Sequence, residues 1–409
     1  MKRIGIILLL AGCLLLGGCS WLDGSYVSIT ARQGGDIKPN SENLTANTYS
    51  ELMNHLENLV DECVEDAVII APNSTEEDAA QYMENAVRNL LKIYPMGAYS
   101  VEELRYEVGA SNGQTAIAVD IRYHHSKAEL RRIRTVRTME QARDLVGESL
   151  KNLDPVLVLQ VAQYAEMDFS QVVQSYAMQY PQTVMETPQV LTEVYGEGNT
   201  RVVELTFSYQ NSRDSMRTME KQVRPIFDAA MLYVSGKGSQ GQKFSQLYGF
   251  LAERFDYNLE TSITPAYSLL CHGVGDSRAF AMVYSAMCHA AELECLTVVG
   301  TRNGEPWTWN MICENGNYYH VDLMGGEGSF RRLADTEMNG YVWDYSAYPA
   351  CVHPQAAPAE EIPEETASTE ETASTEATAS TEETLPMPDA TESLETAVTE
   401  QTEAETQVP

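Results

Sequence analysis

The residues able to do chemistry gather late in the chain, where Ser277, His272, His320 and Asp322 stand within one stretch, with Trp307, Trp309 and Asn310 among them. A hydroxyl, an imidazole and a carboxylate are the parts of a nucleophilic triad, in which the base takes the hydroxyl proton and the acid orients the base. Such a triad works only when hydroxyl and imidazole come within hydrogen-bonding reach, directly or through one water. The elements that carry these residues decide whether they do.

Phe244–Tyr257 has the pattern of an amphipathic helix ending in a short polar segment. Gly275-Asp276-Ser277 is then a glycine-bearing turn that feeds a second helix, with Phe280, Val283, Tyr284 and Met287 at helical spacing. Ser277 opens that helix. Serine is among the best N-cap residues, and this role is favoured for Ser277 over that of a nucleophile. His272, five residues earlier, reads as a loop residue.

Glu294–Gly300 has the pattern of a strand, and two more strands flank Asn315-Gly316, the strongest short hairpin signal. A two-residue turn there pairs Cys313 with Tyr318, Met311 with His320 and Trp309 with Asp322. Strand alternation then puts Trp307, Trp309, His320 and Asp322 on one face. A slip of one residue would invert that face. Residues i and i+2 on a strand lie about 6.5–7 Å apart, so His320 points beside the place of Trp307 rather than into it.

Gly275-Asp276-Ser277-Arg278-Ala279-Phe280-Ala281, Trp307-Thr308-Trp309-Asn310 and Tyr318-Tyr319-His320-Val321-Asp322 together resemble the bacterial branch of the transglutaminase-like superfamily. That family implies a papain-type fold, a cysteine-bearing helix against an antiparallel sheet. Its motifs typically read Gly-Val-Cys-x-Gly-Tyr-Ala, His-Ala-Trp-Asn and Trp-Tyr-x-Val-Asp. The resemblance runs from Ala266 to Tyr348-Pro349-Ala350-Cys351, roughly a quarter of the chain. It aligns the family's cysteine with Ser277, its histidine with Trp307 and its acid with Asp322. A cysteine at a helix start gains thiolate character from the dipole and a nearby imidazolium, whereas a serine hydroxyl needs a positioned base. Indole donates a hydrogen bond and accepts none, so Trp307 cannot be that base. The resemblance therefore implies a degenerate triad. Trp307, Trp309, Asn310 and Tyr319 are the candidate lining of the former substrate groove, and His320 is the one candidate substitute base.

The two ends are of another kind. Lys2 and Arg3 precede the apolar run Ile4–Leu16, and Leu16-Gly17-Gly18-Cys19 resembles a bacterial lipoprotein box. Cys13 fits a similar box, but cleavage there would leave Leu14–Leu16 at the new terminus, so Cys19 is taken as the lipidated residue. The expected location is the extracytoplasmic face of a cell membrane. From Cys351 onward there are fourteen Glu, one Asp and no Lys or Arg, about half of the formal charge of −32. Such a Thr/Glu-rich tail buries too little apolar surface to offset its conformational entropy and is expected to be disordered. The acidic balance excludes a nucleic-acid binder, which needs clustered Lys and Arg. Cys63, Cys271, Cys288, Cys295, Cys313 and Cys351 form no CxxC or zinc-like spacing, and no cofactor or metal is expected.

The middle of the chain repeats weakly with a period of 86 residues: Tyr94-Pro95 returns as Tyr180-Pro181, Tyr123 as Tyr209 and Ser126 as Ser212. Ile117, Val119, Ile121 and Tyr123 alternate as a half-buried strand, as do Val203, Leu205, Phe207 and Tyr209. The expected architecture is α+β: signal peptide 1–18, linker 19–44, helix-plus-hairpin modules 45–133 and 138–217, a transglutaminase-like domain 218–352 and the tail 353–409. Its expected role is binding or scaffolding at the envelope, toward an envelope protein or cell-wall peptide. The rival is an active hydrolase or acyltransferase on an amide or peptide, with Ser277, His320 and Asp322 as an altered triad. A third reading makes the two modules the adhesive part.

Overall fold

Alternating apolar runs and capped amphipathic helices order the described residues into three larger sheets and one two-stranded ladder, with helices packed on them. A computed structural model describes residues 28–38, 44–234, 236–325 and 329–353. All of these belong to one compact unit, Met1–Pro354. The signal peptide, Cys13, Cys19 and the tail beyond His353 lie outside the described residues. No described helix is long and apolar enough to cross a membrane.

The first module begins before the expected boundary. Part of the stretch read as linker forms β1 (Ser28–Asp36) and β2 (Leu44–Thr45), which add to the two edges of the sheet. Backbone donors at a sheet edge recruit any extended segment that reaches them, whatever its side-chain pattern. Then follow α1 (Tyr49–Asp61), β3 (Asp66–Ile70), α2 (Glu76–Lys92), α3 (Pro95–Ser100), β4 (Val101–Ser111), β5 (Gln114–Tyr123) and α4 (Lys127–Leu130). Thr48 caps α1, and Thr75 with Asp78 makes a capping box for α2. Leu52, Leu56, Leu59 and Val60 bury one face of α1 against the sheet. Strand order is β1-β4-β5-β3-β2.

The second module repeats this order with β6 (Arg134–Val136), α5 (Met139–Asn152), β7 (Val156–Val161), α6 (Phe169–Gln179), β8 (Gln189–Tyr195) and β9 (Arg201–Ser208). Its first strand lies in the gap left between the two expected modules. The strand order is β6-β7-β9-β8. The modules touch through α3: Tyr99 donates to Glu204 at 2.8 Å, and Val202 belongs to the first module's core.

A long helix, α7 (Arg213–Tyr233), leads into α8 (Gln240–Ala252), β10 (Asp256–Tyr257), α9 (Pro265–His272), β11 (Val274–Gly275) and α10 (Ser277–Ala290). The last sheet holds β12 (Cys295–Arg302), β13 (Glu305–Glu314), β14 (Asn317–Val321) and β15 (Tyr341–Trp343), in the order β14-β13-β12-β15. Asn315 and Gly316 have φ of 52° and 81°, the two positive values a tight hairpin turn requires. Cys313 pairs with Tyr318 and Met311 with His320, the expected register, and the ladder ends at Asn310 opposite Val321. Ile312, Tyr319 and Val321 join the core beneath α10, while Trp309 and Met311 join a second small core with Trp343 and Cys351.

Candidate functional site

The start of α10 is held more tightly than a serine cap would hold it. Asp276, not Ser277, is the N-cap: its backbone is extended (φ −83°, ψ 176°) and its Oδ1 accepts from Ala279 N at 2.8 Å. The carboxylate takes the orphan amide, which leaves Ser277 as the first helical residue with its hydroxyl free for another partner. Ser277 as a whole is 8% exposed, and among the described residues its Oγ accepts one hydrogen bond, from Thr308 N at 3.3 Å. The helix is fixed to the sheet by Asn310, fully buried, whose Nδ2 donates to Ala281 O at 2.8 Å.

Opposite Ser277 the site is filled. Trp307 Nε1 donates to Asp322 Oδ2 at 2.8 Å. The same carboxylate accepts from Tyr341 Oη at 2.6 Å and, through Oδ1, from Met324 N at 2.9 Å. Arg302 places its guanidinium 5.1 Å from the centroid of the Trp307 ring and 5.3 Å from that of Tyr341. Its Nη2 donates to Gly325 O at 3.1 Å. Burial, with the hydrogen bond to Asp322, pushes the Tyr341 hydroxyl well above its ordinary range, so it stays a donor. The acid thus orients an indole N–H as a triad acid orients an imidazole N–H, but the indole offers no lone pair in return.

His320 does not supply the missing base. It is fully buried, its Nδ1 accepts from Trp309 Nε1 at 2.9 Å, and its Nε2 lies 2.9 Å from Asp335 Oδ1. Indole is a donor only, so Nδ1 carries no proton and Nε2–H donates to Asp335. Both ring nitrogens are engaged. The same tautomer bears on a cluster that resembles a metal site, since His320, Asp335 and Cys351 present ligand atoms within 4.8 Å of one another. With Nε2 protonated, the imidazole has no lone pair for a cation between them. Burial and Asp335 push the Cys351 thiol up to about 12, so it behaves as a packed thiol, not a nucleophile. His272 is not in a loop but ends α9, exposed, with its ring 5.0 Å from that of Tyr267.

Burial lowers the His320 pKa from its ordinary 6.5, with Asp335 opposing. The folded chain then takes up this proton less readily than the unfolded chain. Stability from this group is fully present above about pH 6.5 and falls as pH drops below that value, until the folded imidazole itself protonates. Protonation would also set Nδ1–H against the Trp309 N–H. The expected result is a melting temperature that declines below pH 6.5, with a shallower decline in His320→Gln. A parallel decline in the two proteins would show that His320 is not the group responsible.

Ser277 and Trp307 line a cleft of about 610 Å³ whose other walls include Tyr257, Leu259 and Val299 and, from α6 of the second module, Met178. The Tyr257 and Trp307 rings lie 5.6 Å apart, and Leu259 is 80% exposed. Three residues expected to line the groove do not. Trp309 (1% exposed) belongs to the small core, Tyr319 (7%) to the core beneath α10, and Asn310 is spent on the helix carbonyl. Both faces of this sheet are covered, so strand alternation sends most side chains into one core or the other, and the sheet reaches the cleft only through the start of β13 and the Val299–Gly300 part of β12. Arg302, Tyr341, Asp276 and Tyr257 carry the site's geometry and escaped the sequence reading. Asp276, an acid three residues before a helical amide, was the legible one.

Residues 229–348 match the transglutaminase-like superfamily, and the chain therefore carries a transglutaminase-like domain. No curated protein matches the chain. Among solved structures it aligns with a TGase at 9% identity and a TM-score of 0.25, over 44% of this chain and 54% of that one. It aligns with a chain from Cytophaga hutchinsonii described as a candidate cysteine protease at 14% identity and a TM-score of 0.23, over 38% and 65%. A third, described as a candidate protease from Parabacteroides distasonis, aligns at 8% identity and a TM-score of 0.20, over 55% and 52%. The alignments thus span between about half and two thirds of the length of these chains.

Proposed function

We propose that this chain is a lipid-anchored protein of the extracytoplasmic membrane face whose transglutaminase-like domain binds its partner without transforming it. The observation that carries the reading is the indole of Trp307 hydrogen-bonded to Asp322 in the place where the family resemblance puts a histidine. With His320 bonded at both nitrogens, Ser277 has no base among its recorded partners, and a serine hydroxyl without one is a poor nucleophile. What the site retains is a cleft with aromatic and aliphatic walls and an exposed Leu259 at its rim, which suits an envelope protein or cell-wall peptide. The sequence Leu16-Gly17-Gly18-Cys19 supports the anchor.

The test is a photo-crosslinking residue in place of Leu259, introduced in the native host. One defined envelope adduct is expected, unchanged by Ser277→Ala and lost when Cys19→Ala releases the protein from the membrane fraction. No adduct, or one abolished by Ser277→Ala, would overturn the proposal.

A further inference from the structure

The two modules superimpose in their pairing but differ at one edge. In the first sheet Val108 faces Ile117, Glu107 faces Ala118 and Tyr106 faces Val119. One 86-residue period on, Val194 faces Val203, Glu193 faces Glu204 and Thr192 faces Leu205. β8 is therefore the counterpart of β4, residue for residue. The outer edge of β4 is occupied: β1 runs parallel to it, from Ser28 opposite Glu103 to Gln33 opposite Val108. The outer edge of β8 is not. It ends its sheet, and among the described residues no backbone hydrogen bond joins that edge.

An open edge of this length is usually blunted by proline, lysine, a bulge or a covering loop, because unpaired amides and carbonyls recruit other chains. β8 (Gln-Val-Leu-Thr-Glu-Val-Tyr) contains neither proline nor lysine, and its pairing with β9 runs without a bulge from Gln189 to Tyr195. Leu191 is 60% exposed and Val194 38% exposed. We infer that the outer edge of β8 is a docking site for an extended polypeptide segment of a partner protein, which adds parallel to β8 with a basic residue opposite Glu193. The direction and register come from the occupied copy, in which Arg32 is the register partner of Glu107, the counterpart of Glu193. Transferred by one period, a six-residue segment covers Gln189 to Val194. Main-chain pairing supplies most of the affinity in strand addition, and the side-chain pairs select the partner.

The chain supplies its own probe: the synthetic peptide Ser-Ile-Thr-Ala-Arg-Gln-Gly-Gly-Asp, residues 28–36, added at millimolar concentration to the whole protein. Amide hydrogen exchange at residues 189–195 is the readout. The expected result is protection of those amides by the peptide and none by its scrambled form. Glu193→Lys, at an exposed position, should weaken the protection up to about fivefold, and the same peptide carrying Arg32→Glu should restore it. The inference is overturned by an absence of protection, or by protection that Glu193→Lys leaves untouched. Protection at residues 103–108 would mean that the peptide merely exchanges with β1. Protection of β8 that rises with protein concentration in the absence of peptide would make a second copy of this chain the occupant and would equally overturn the inference.

Discussion

Replacing Trp309 by alanine is expected to destabilise the transglutaminase-like domain by about 3–5 kcal/mol, the range for deleting a buried aromatic. The side chain is 1% exposed and packs edge-on against Tyr341 and Trp343, with ring centroids 5.2 and 5.7 Å away. Its loss also leaves His320 Nδ1 without a donor in a dry site. Trp309→Phe separates the two effects. It keeps most of the volume and removes only the N–H, for about 1–3 kcal/mol. It also releases the imidazole tautomer, so the decline in stability below pH 6.5 should become shallower. Urea unfolding monitored by circular dichroism measures both. A phenylalanine variant as stable as wild type, with the same pH profile, would show that the indole–imidazole hydrogen bond contributes nothing.

Asp322→Ala is expected to have the second largest effect, about 2–4 kcal/mol, because it strands three donors at once. These are Trp307 Nε1, Tyr341 Oη and Met324 N. Arg302, stacked on Trp307 and Tyr341, would rest on two rings that the carboxylate no longer fixes. In a working triad the acid orients a base, and its removal is seen chiefly in turnover. Here the acid serves the packing of an indole and a phenol, and its removal should be seen in stability. A drop in melting temperature on the order of 10 °C is the expected size for a domain of this length. A variant that melts within a degree of wild type would mean that water takes over the carboxylate's bonds.

Much of this architecture is legible in the residues, and the misses have physical reasons. Three of the four Asn-Gly dipeptides, at Asn112, Asn303 and Asn315, form turns with both φ values positive, because few other pairs tolerate that geometry; at Asn339-Gly340 only the glycine is positive. The hairpin register follows from the two-residue turn alone, and with it the face shared by Trp309 and His320. The strands β3 and β7, Asp-Ala-Val-Ile-Ile and Val-Leu-Val-Leu-Gln-Val, are dense apolar runs beside helices and escaped notice. Period alone does not separate a buried strand from a buried helix segment. β1 could not be read at all, since its pairing is made by backbone at a distant edge. In the site, strand alternation gave the faces correctly but not what covers them. The segment from Leu333 to Cys351 buries Trp309 and His320 from the far side, a contact no local pattern announces. The same segment supplies Asp335, which occupies the nitrogen of His320 that a triad would have needed.

Under the proposed function Ser277 has no general base: among the described residues its Oγ meets the Thr308 amide and no imidazole. The most direct measurement is the rate at which a fluorophosphonate modifies the whole protein, read by intact mass, with Ser277→Ala as reference. No modification at Ser277 above the reference is expected between pH 6 and 9, a window that spans the ordinary histidine pKa of about 6.5. Stoichiometric labelling at Ser277, rising through the titration of a histidine, would contradict it and restore the catalytic reading.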